Sequence, residues 1–156
     1  MVSLQVTAVD HPESQRLLTD YFTLRAETFP DKKYVTVFPA REIFTEPAGV
    51  FVLLRDDDDK PVGCGGIRAV SPGPHGARFE VKHLYLAPGT RGRGWGRLLM
   101  NDLEARAREL GADELVLDTH HTLTAAGSLY ATTGFTEIEP YNTNPNATRW
   151  YGKVLT

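Results

Sequence analysis

Arg91-Gly92-Arg93-Gly94-Trp95-Gly96-Arg97 is the stretch on which the reading of this chain turns. It follows the strand-like run Phe79 to Leu86 (FEVKHLYL) and the turn residues Pro88-Gly89, and it leads into LLMNDLEARAREL. Leu99, Leu103, Ala107 and Leu110 recur at the helical period, while Asp102–Arg106 and Glu104–Arg108 have i,i+4 ion-pair spacing. The pattern predicts a strand, a glycine-rich loop and an amphipathic helix that runs to Leu110 and stops at Gly111. Alternating glycines remove Cβ atoms where a ligand must approach the backbone. The free N–H groups and dipole of the first helical turn then favour an anion. Arginines at both ends of the loop suit phosphate oxygens. No GK[ST] follows, so this is not the phosphate loop of nucleotide hydrolases, and G-x-G-x-G is not the G-x-G-x-x-G dinucleotide fingerprint.

The charge distribution points the same way. The 156 residues carry 17 Lys plus Arg against 20 Asp plus Glu, a net charge of −3. Between Glu80 and Asp102, however, there are no acidic residues, and Lys82, Arg91, Arg93 and Arg97 give +4. A cationic segment inside an acidic chain predicts a dedicated anion site and speaks against general nucleic-acid or membrane-surface binding.

Outward from the loop, Gln5 to Val9 alternates as a short strand, and Asp10-His11-Pro12-Glu13 opens a helix running to about Glu27. Phe29 to Glu46 has no clear period and reads as loop or short helix. Val50 to Arg55 and Val62 to Val70 form a hairpin around Asp56–Asp59, whose four aspartates read as a solvated tip. The Gly/Pro-rich SPGPHG reads as the entry to the next strand. Beyond Gly111, Glu114 to Thr119 is a strand, Thr124 to Thr132 a short helix, Gly134 to Glu139 a strand, and Ala147 to Leu155 the closing strand. This order is mixed α/β around a largely antiparallel sheet, in a single domain over 1–156. Cys64, the single cysteine, cannot form an internal disulfide or a cysteine-paired zinc site. No leader-like or membrane-length apolar run is present, so the expectation is a cytoplasmic, soluble domain.

Two separated motifs resemble the GNAT family of N-acetyltransferases. Arg91-x-x-Gly94-x-Gly96, followed by Leu98-Leu99, resembles its acetyl-CoA signature, and Leu129-Tyr130-x-x-x-Gly134-Phe135 resembles its LYxxxGF segment. The likeness in element order extends over roughly residues 3 to 155. It implies the GNAT acyl-CoA N-acyltransferase fold, with six to seven mostly antiparallel strands and about four helices. It also implies acetyl-CoA as cosubstrate and no metal. By the same resemblance, Gly92, Arg93, Gly94, Trp95, Gly96 and Arg97, with Arg91, would hold the CoA pyrophosphate. Leu84, Tyr85 and Leu86 would pair with the pantetheine arm where the fourth strand splays from the fifth. At the position where many relatives carry a cofactor-contacting Asn, this chain has Leu123.

Acyl transfer to an amine requires a deprotonated amine and a proton for the departing thiolate. Tyr130 is the expected acid, because a phenol is protonated at neutral pH. Glu80 is the expected base: it lies eleven residues before Arg91, the spacing of a catalytic glutamate in some GNAT members. His120, His121 or bulk water are the alternatives, although neighbours in an extended segment point apart. His83 reads as packed and Cys64 as a small strand residue.

Phe29 to Phe44 and Glu139 to Trp150 are the expected acceptor-facing segments, with Asn142, Asn144, Asn146, Arg149, Trp150 and Tyr151 as pocket candidates. The expected acceptor is a small-molecule amine or amino-acid-like compound. A protein or peptide amine is the alternative, and a CoA-binding module without turnover is the alternative of a different class. A homodimer is compatible with this reading.

Overall fold

In the computed structural model, which describes residues 1–155, strand β1 (Ser3–Val6) precedes helix α1 (Pro12–Thr28) and two short 3-10 turns (Pro30–Lys32 and Arg41–Phe44). Strands β2 (Gly49–Arg55), β3 (Pro61–Gly73) and β4 (Gly76–Leu86) follow. Next come α2 (Trp95–Glu109), β5 (Glu114–Thr119), α3 (Thr124–Thr132), β6 (Thr136–Glu137) and β7 (Arg149–Val154). The strands form one seven-stranded sheet in the order β1-β2-β3-β4-β5-β7-β6. Every pairing among the described strands is antiparallel except β4–β5, whose strands are joined through α2.

Strand β2 shows why the sheet is covered on both faces. Val50, Val52 and Leu54 join a core with Leu99, Met100, Leu103 and Ala107 of α2. The alternate residues Phe51 and Leu53 join Leu17, Leu18 and Phe22 of α1. A strand buried on both sides reads as a continuous apolar run, as VFVLLR does. The same alternation in β4 sends Phe79 and Val81 to the α2 side, leaving Glu80 and Lys82 on the other face.

The mixed, largely antiparallel sheet is as expected, and three α-helices flank it rather than about four; the expected fourth is represented by the 3-10 turns of the 29–46 region. Helix α1 is capped by His11: the His11 imidazole Nδ1 accepts from the Glu13 amide at 3.1 Å, with Pro12 occupying the first helical position. The SPGPHG segment mostly continues β3 and β4 instead of forming a separate entry loop. The strand expected over Gly134 to Glu139 shrinks to the two residues of β6, and α2 begins at Trp95 because the glycine loop has left-handed backbone up to Gly94. Both i,i+4 ion pairs on α2 form, Asp102–Arg106 at 2.7 Å and Glu104–Arg108 at 3.3 Å.

Candidate active site

The parallel pairing of β4 with β5 lasts three residues, Arg78 to Glu80 against Glu114 to Val116. Beyond it the strands are not paired, although both continue, to Leu86 and Thr119. Part of the cause lies on the other edge of β4. The register against β3 slips between Cys64 and Gly66, so that His83 and Leu84 together oppose Gly65, and His83 takes φ 57°. Such a bulge bends the strand and increases its twist. The opening expected between the fourth and fifth strands is therefore present, and Leu84 of the expected pantetheine-pairing residues lines the cavity there. Tyr85 points the opposite way, buried against the α1 side of the core, which leaves only its backbone for a ligand.

At the end of β4 the chain enters the glycine loop. Gly94 is the N-cap residue of α2 with φ 76°, in the left-handed region that disfavours a Cβ. No side chain caps the helix, and its first turn contains no acidic residue. Leu98 is the first amide to bond back, to Gly94 O at 3.1 Å, so the N–H groups of Trp95, Gly96 and Arg97 stand ahead of the helical ladder. Arg93 lies over the Trp95 ring, 5.0 Å from its centroid. The loop and the second motif meet directly. A Cβ on Gly96 would lie 3.3 Å from Leu129, and Arg97 donates to the Thr132 carbonyl at 3.2 Å.

A cavity of about 720 Å³ opens beside β4, walled by α1, the 34–44 region, β5 and the 142–146 turn. The expected acceptor-facing segments thus supply two of its walls, including Asn142, Asn144 and Asn146. Arg149, Trp150 and Tyr151 do not line it: Trp150 donates to Asn142 Oδ1 at 2.8 Å, and Tyr151 packs on Tyr130. Leu123 occupies the cavity wall, so an amide contact from that position is absent.

Tyr130 lines this cavity from α3 and is 7% exposed. Phe135 and Tyr151 hold its ring at 6.1 and 5.8 Å, and its hydroxyl bonds to no group among the described residues. Burial, reinforced by Asp118, pushes the phenol up to about 12, which keeps it a proton donor at neutral pH.

Glu80 is fully buried and does not line the cavity. Arg68 Nε donates to one carboxylate oxygen at 2.8 Å, and Tyr141 Oη donates to the other at 2.5 Å. Lys82 Nζ stands 3.7 Å from that second oxygen and donates to Asp118 at 2.9 Å. Asn142 bridges the two carboxylates, at 2.8 Å from Asp118 and 3.5 Å from Glu80. Burial acts to raise the Asp118 carboxyl, but the Lys82 ammonium and the Asn142 and Asn144 hydrogen bonds outweigh it and hold it below the ordinary value. Burial and the adjacent Glu80 carboxylate both push the Tyr141 phenol upward. Of these two carboxylates, Asp118 is the one presented to the cavity.

The histidines divide. His83 lies among Tyr21, Phe22 and Phe44, and burial followed by Lys82 and Arg68 lowers it to about 3. His120 and His121 do not point apart but stack at 4.5 Å, and each bonds a threonine, Thr122 and Thr148 respectively. Cys64 is buried in its strand, and burial raises its thiol. The sequence reading missed Arg25, Tyr34, Asp118 and Tyr141. Arg25 left a trace: with Ser14, Leu18 and Phe22 it follows the helical period along the buried stripe of α1, where a charge is out of place.

Comparison with known proteins agrees with this architecture. The family model described as "Acetyltransferase (GNAT) family" matches residues 13–135. An uncharacterized N-acetyltransferase of Schizosaccharomyces pombe is 37% identical over 99 residues, covering 64% of this chain and 59% of that protein. The chain therefore spans less than two thirds of that relative's length. Streptothricin acetyltransferase of Streptomyces lavendulae is 33% identical over 125 residues, 74% of this chain and 64% of the relative. Among solved structures, a GNAT family acetyltransferase from Elizabethkingia anophelis with acetyl-CoA bound superposes with TM-score 0.63 at 15% identity, covering 99% of this chain and 98% of that one. With the strand–loop–helix junction, the opened β4–β5 edge and the family match over most of its length, this chain belongs to the GNAT acetyltransferase family.

Proposed function

We propose that this chain is an acetyl-CoA-dependent N-acetyltransferase acting on the primary amine of a small molecule by direct transfer in a ternary complex. One observation carries the reading. The uncapped helix start at Trp95 to Arg97 follows the unpaired edge of β4 and touches α3 at Leu129 and Thr132, while Leu84 of that edge and Tyr130 of α3, its hydroxyl unbonded among the described residues, line one cavity. Those residues fit the cosubstrate: exposed N–H groups and arginines suit a pyrophosphate, and an unpaired strand edge at Leu84 to Leu86 suits an amide-containing arm.

When bound, acetyl-CoA supplies an acetyl thioester as electrophile with a thiolate as leaving group. The chain's own contribution is to orient and to move protons. Tyr130 Oη donates the proton that the leaving sulfur requires. Asp118 offers the cavity's carboxylate to the incoming amine. Glu80 belongs to the proposal one layer further back. Enclosed by Arg68, Tyr141, Asn142 and Lys82, it fixes the wall that carries Asp118, and a proton could reach it only by relay. Water at the cavity mouth then accepts the amine proton.

The small-molecule reading is supported by a cavity walled by the 34–44 and 142–146 segments, which Asn146 joins at Val35, and by the name of the streptothricin relative. The test is release of CoA thiol across a panel of small amines, amino acids and peptides, with Tyr130→Phe as control. Acetylation that is lost in Tyr130→Phe supports the proposal. Acetyl-CoA binding with no transfer to any amine would replace it with a binding module.

A further inference from the structure

Among the described residues, Arg25 is a buried cation without a counter-ion. It is 6% exposed, lies on the apolar stripe of α1 and lines the cavity. Its guanidinium sits over two aromatic rings, 4.9 Å from the Tyr34 centroid and 5.6 Å from that of Phe29. Its Nε is buried with no hydrogen-bond partner among the described residues, and no described carboxylate lies within ion-pair range of it.

The other two cavity cations differ. Arg68 is paired with Glu80 at 2.8 Å and Lys82 with Asp118 at 2.9 Å. Aromatic faces offset only part of the cost of burying a charge, and a buried charge is normally paired. Arg25 is thus the cavity cation left for a ligand to neutralise. A guanidinium is suited to that partner, because its planar fork matches a carboxylate.

Asp118 supplies the complementary acceptor: Lys82 already pairs with it, so it meets the amine as a hydrogen-bonding carboxylate and not as an unpaired charge. Both residues line the same cavity, and both act electrostatically on the hydroxyls of Tyr34 and Tyr130, which places those hydroxyls within the field of each. Apolar side chains, among them Val35, Val37, Phe38 and Ile43, complete the wall. A cation, a carboxylate and an apolar wall in one cavity match the three parts of an α-amino acid.

We infer that the acceptor is a free amino acid or close amino-carboxylic analogue, with its carboxylate on Arg25 and its amine toward Asp118. The amine half rests on the acetyltransferase proposal, whereas the carboxylate half rests on Arg25 alone. A peptide or protein amino terminus does not satisfy this site, because its neighbouring carboxyl is consumed in an amide.

Two experiments on the full chain separate these halves. Calorimetry compares N-acetyl-leucine, N-acetyl-methionine and N-acetyl-phenylalanine with their carboxamides, and needs no turnover. Wild-type protein should bind at least one acid tenfold or more tighter than its amide. Arg25→Gln should abolish that preference, and Arg25→Lys should keep part of it. Equal affinity for acids and amides, or no binding of either, overturns the inference even if neither variant folds. The second experiment follows CoA thiol release with each free amino acid, its amide and its decarboxylated amine, at equal free-base concentration. Preference for the amino acid supports the inference. Turnover without that preference, or equal turnover of peptide amino termini, overturns it while leaving the acetyltransferase reading intact. Acid-selective binding without any turnover does the reverse: it upholds the carboxylate site and removes the acetyltransferase reading.

Discussion

Tyr141 closes over Glu80, its hydroxyl donating to Oε2 at 2.5 Å from a turn 61 residues further along the chain. The carboxylate is fully buried, so removing a donor leaves an acceptor that water does not reach. Tyr141→Phe should lower the unfolding free energy by about 1–3 kcal/mol, read from urea denaturation. If Glu80 acts as a positioning residue, Tyr141→Phe and Glu80→Gln will both lower kcat/KM and leave the rising limb of the pH–rate profile in place. A loss on the order of 10²–10⁴-fold confined to Glu80→Gln, with that limb displaced, would instead make Glu80 the base.

Substitution at Gly94 separates backbone strain from charge. With φ 76° and nothing within 4 Å of a Cβ there, Gly94→Ala meets no clash and pays only the left-handed penalty, roughly 1–2 kcal/mol. Gly94→Asp adds a carboxylate where the helix start would otherwise receive phosphate, and that carboxylate can also accept from the first-turn N–H groups itself. Calorimetry should find acetyl-CoA binding weakened in the alanine variant and abolished in the aspartate variant, with both cooperatively folded.

Tyr130→Phe tests the acid. Because the hydroxyl bonds to no described group, the variant should keep the wild-type Tm, while kcat falls by a factor on the order of 10²–10⁴. With burial pushing this phenol up to about 12, Tyr130 should contribute no falling limb to the wild-type profile below that pH. A limb near the ordinary tyrosine value that vanished in Tyr130→Phe would contradict this assignment.

Asp118 ties stability to acidity. Its folded value lies below the ordinary carboxylate value despite burial, because Lys82 and the asparagines outweigh desolvation. A depressed value contributes stability above the unfolded pKa, about 3.9, that is lost as pH falls through the lower folded value. Thermal unfolding should therefore show wild type more stable than Asp118→Asn at pH 6, with the gap shrinking as the pH drops below about 4. A gap independent of pH would assign the difference to packing.

What the sequence revealed and what it hid have separate physical causes. The strand–loop–helix junction was legible because glycine spacing, helical periodicity and charge all point to it within a few consecutive residues. β5, α3 and most of α1 were legible for the same local reasons. The environment of Glu80 was not, because Arg68, Tyr141 and Asn142 reach it across separations of 12, 61 and 62 residues. A spacing shared with some GNAT members identified a carboxylate on β4 but could not say that β3 and the 141–142 turn would seal it in. His120 and His121 were misjudged because extended geometry ends at Thr119, and the turn after it brings both rings to one side. Arg25 was visible in the α1 periodicity, but which cavity it faced depended on the distant 34–44 and 142–146 segments.

The brief pairing of β4 with β5 also has a mechanical consequence. Among the described residues, three residue pairs form the only stretch of ladder between the four strands on one side and the three on the other. Seen this way the sheet is two plates on a narrow isthmus. The Lys82–Asp118 pair and the Asn142 bridge act as rivets just above the point where the plates part. The width of the gap is then set by side chains rather than by the ladder. A change at any rivet alters the aperture first and the integrity of either plate only second.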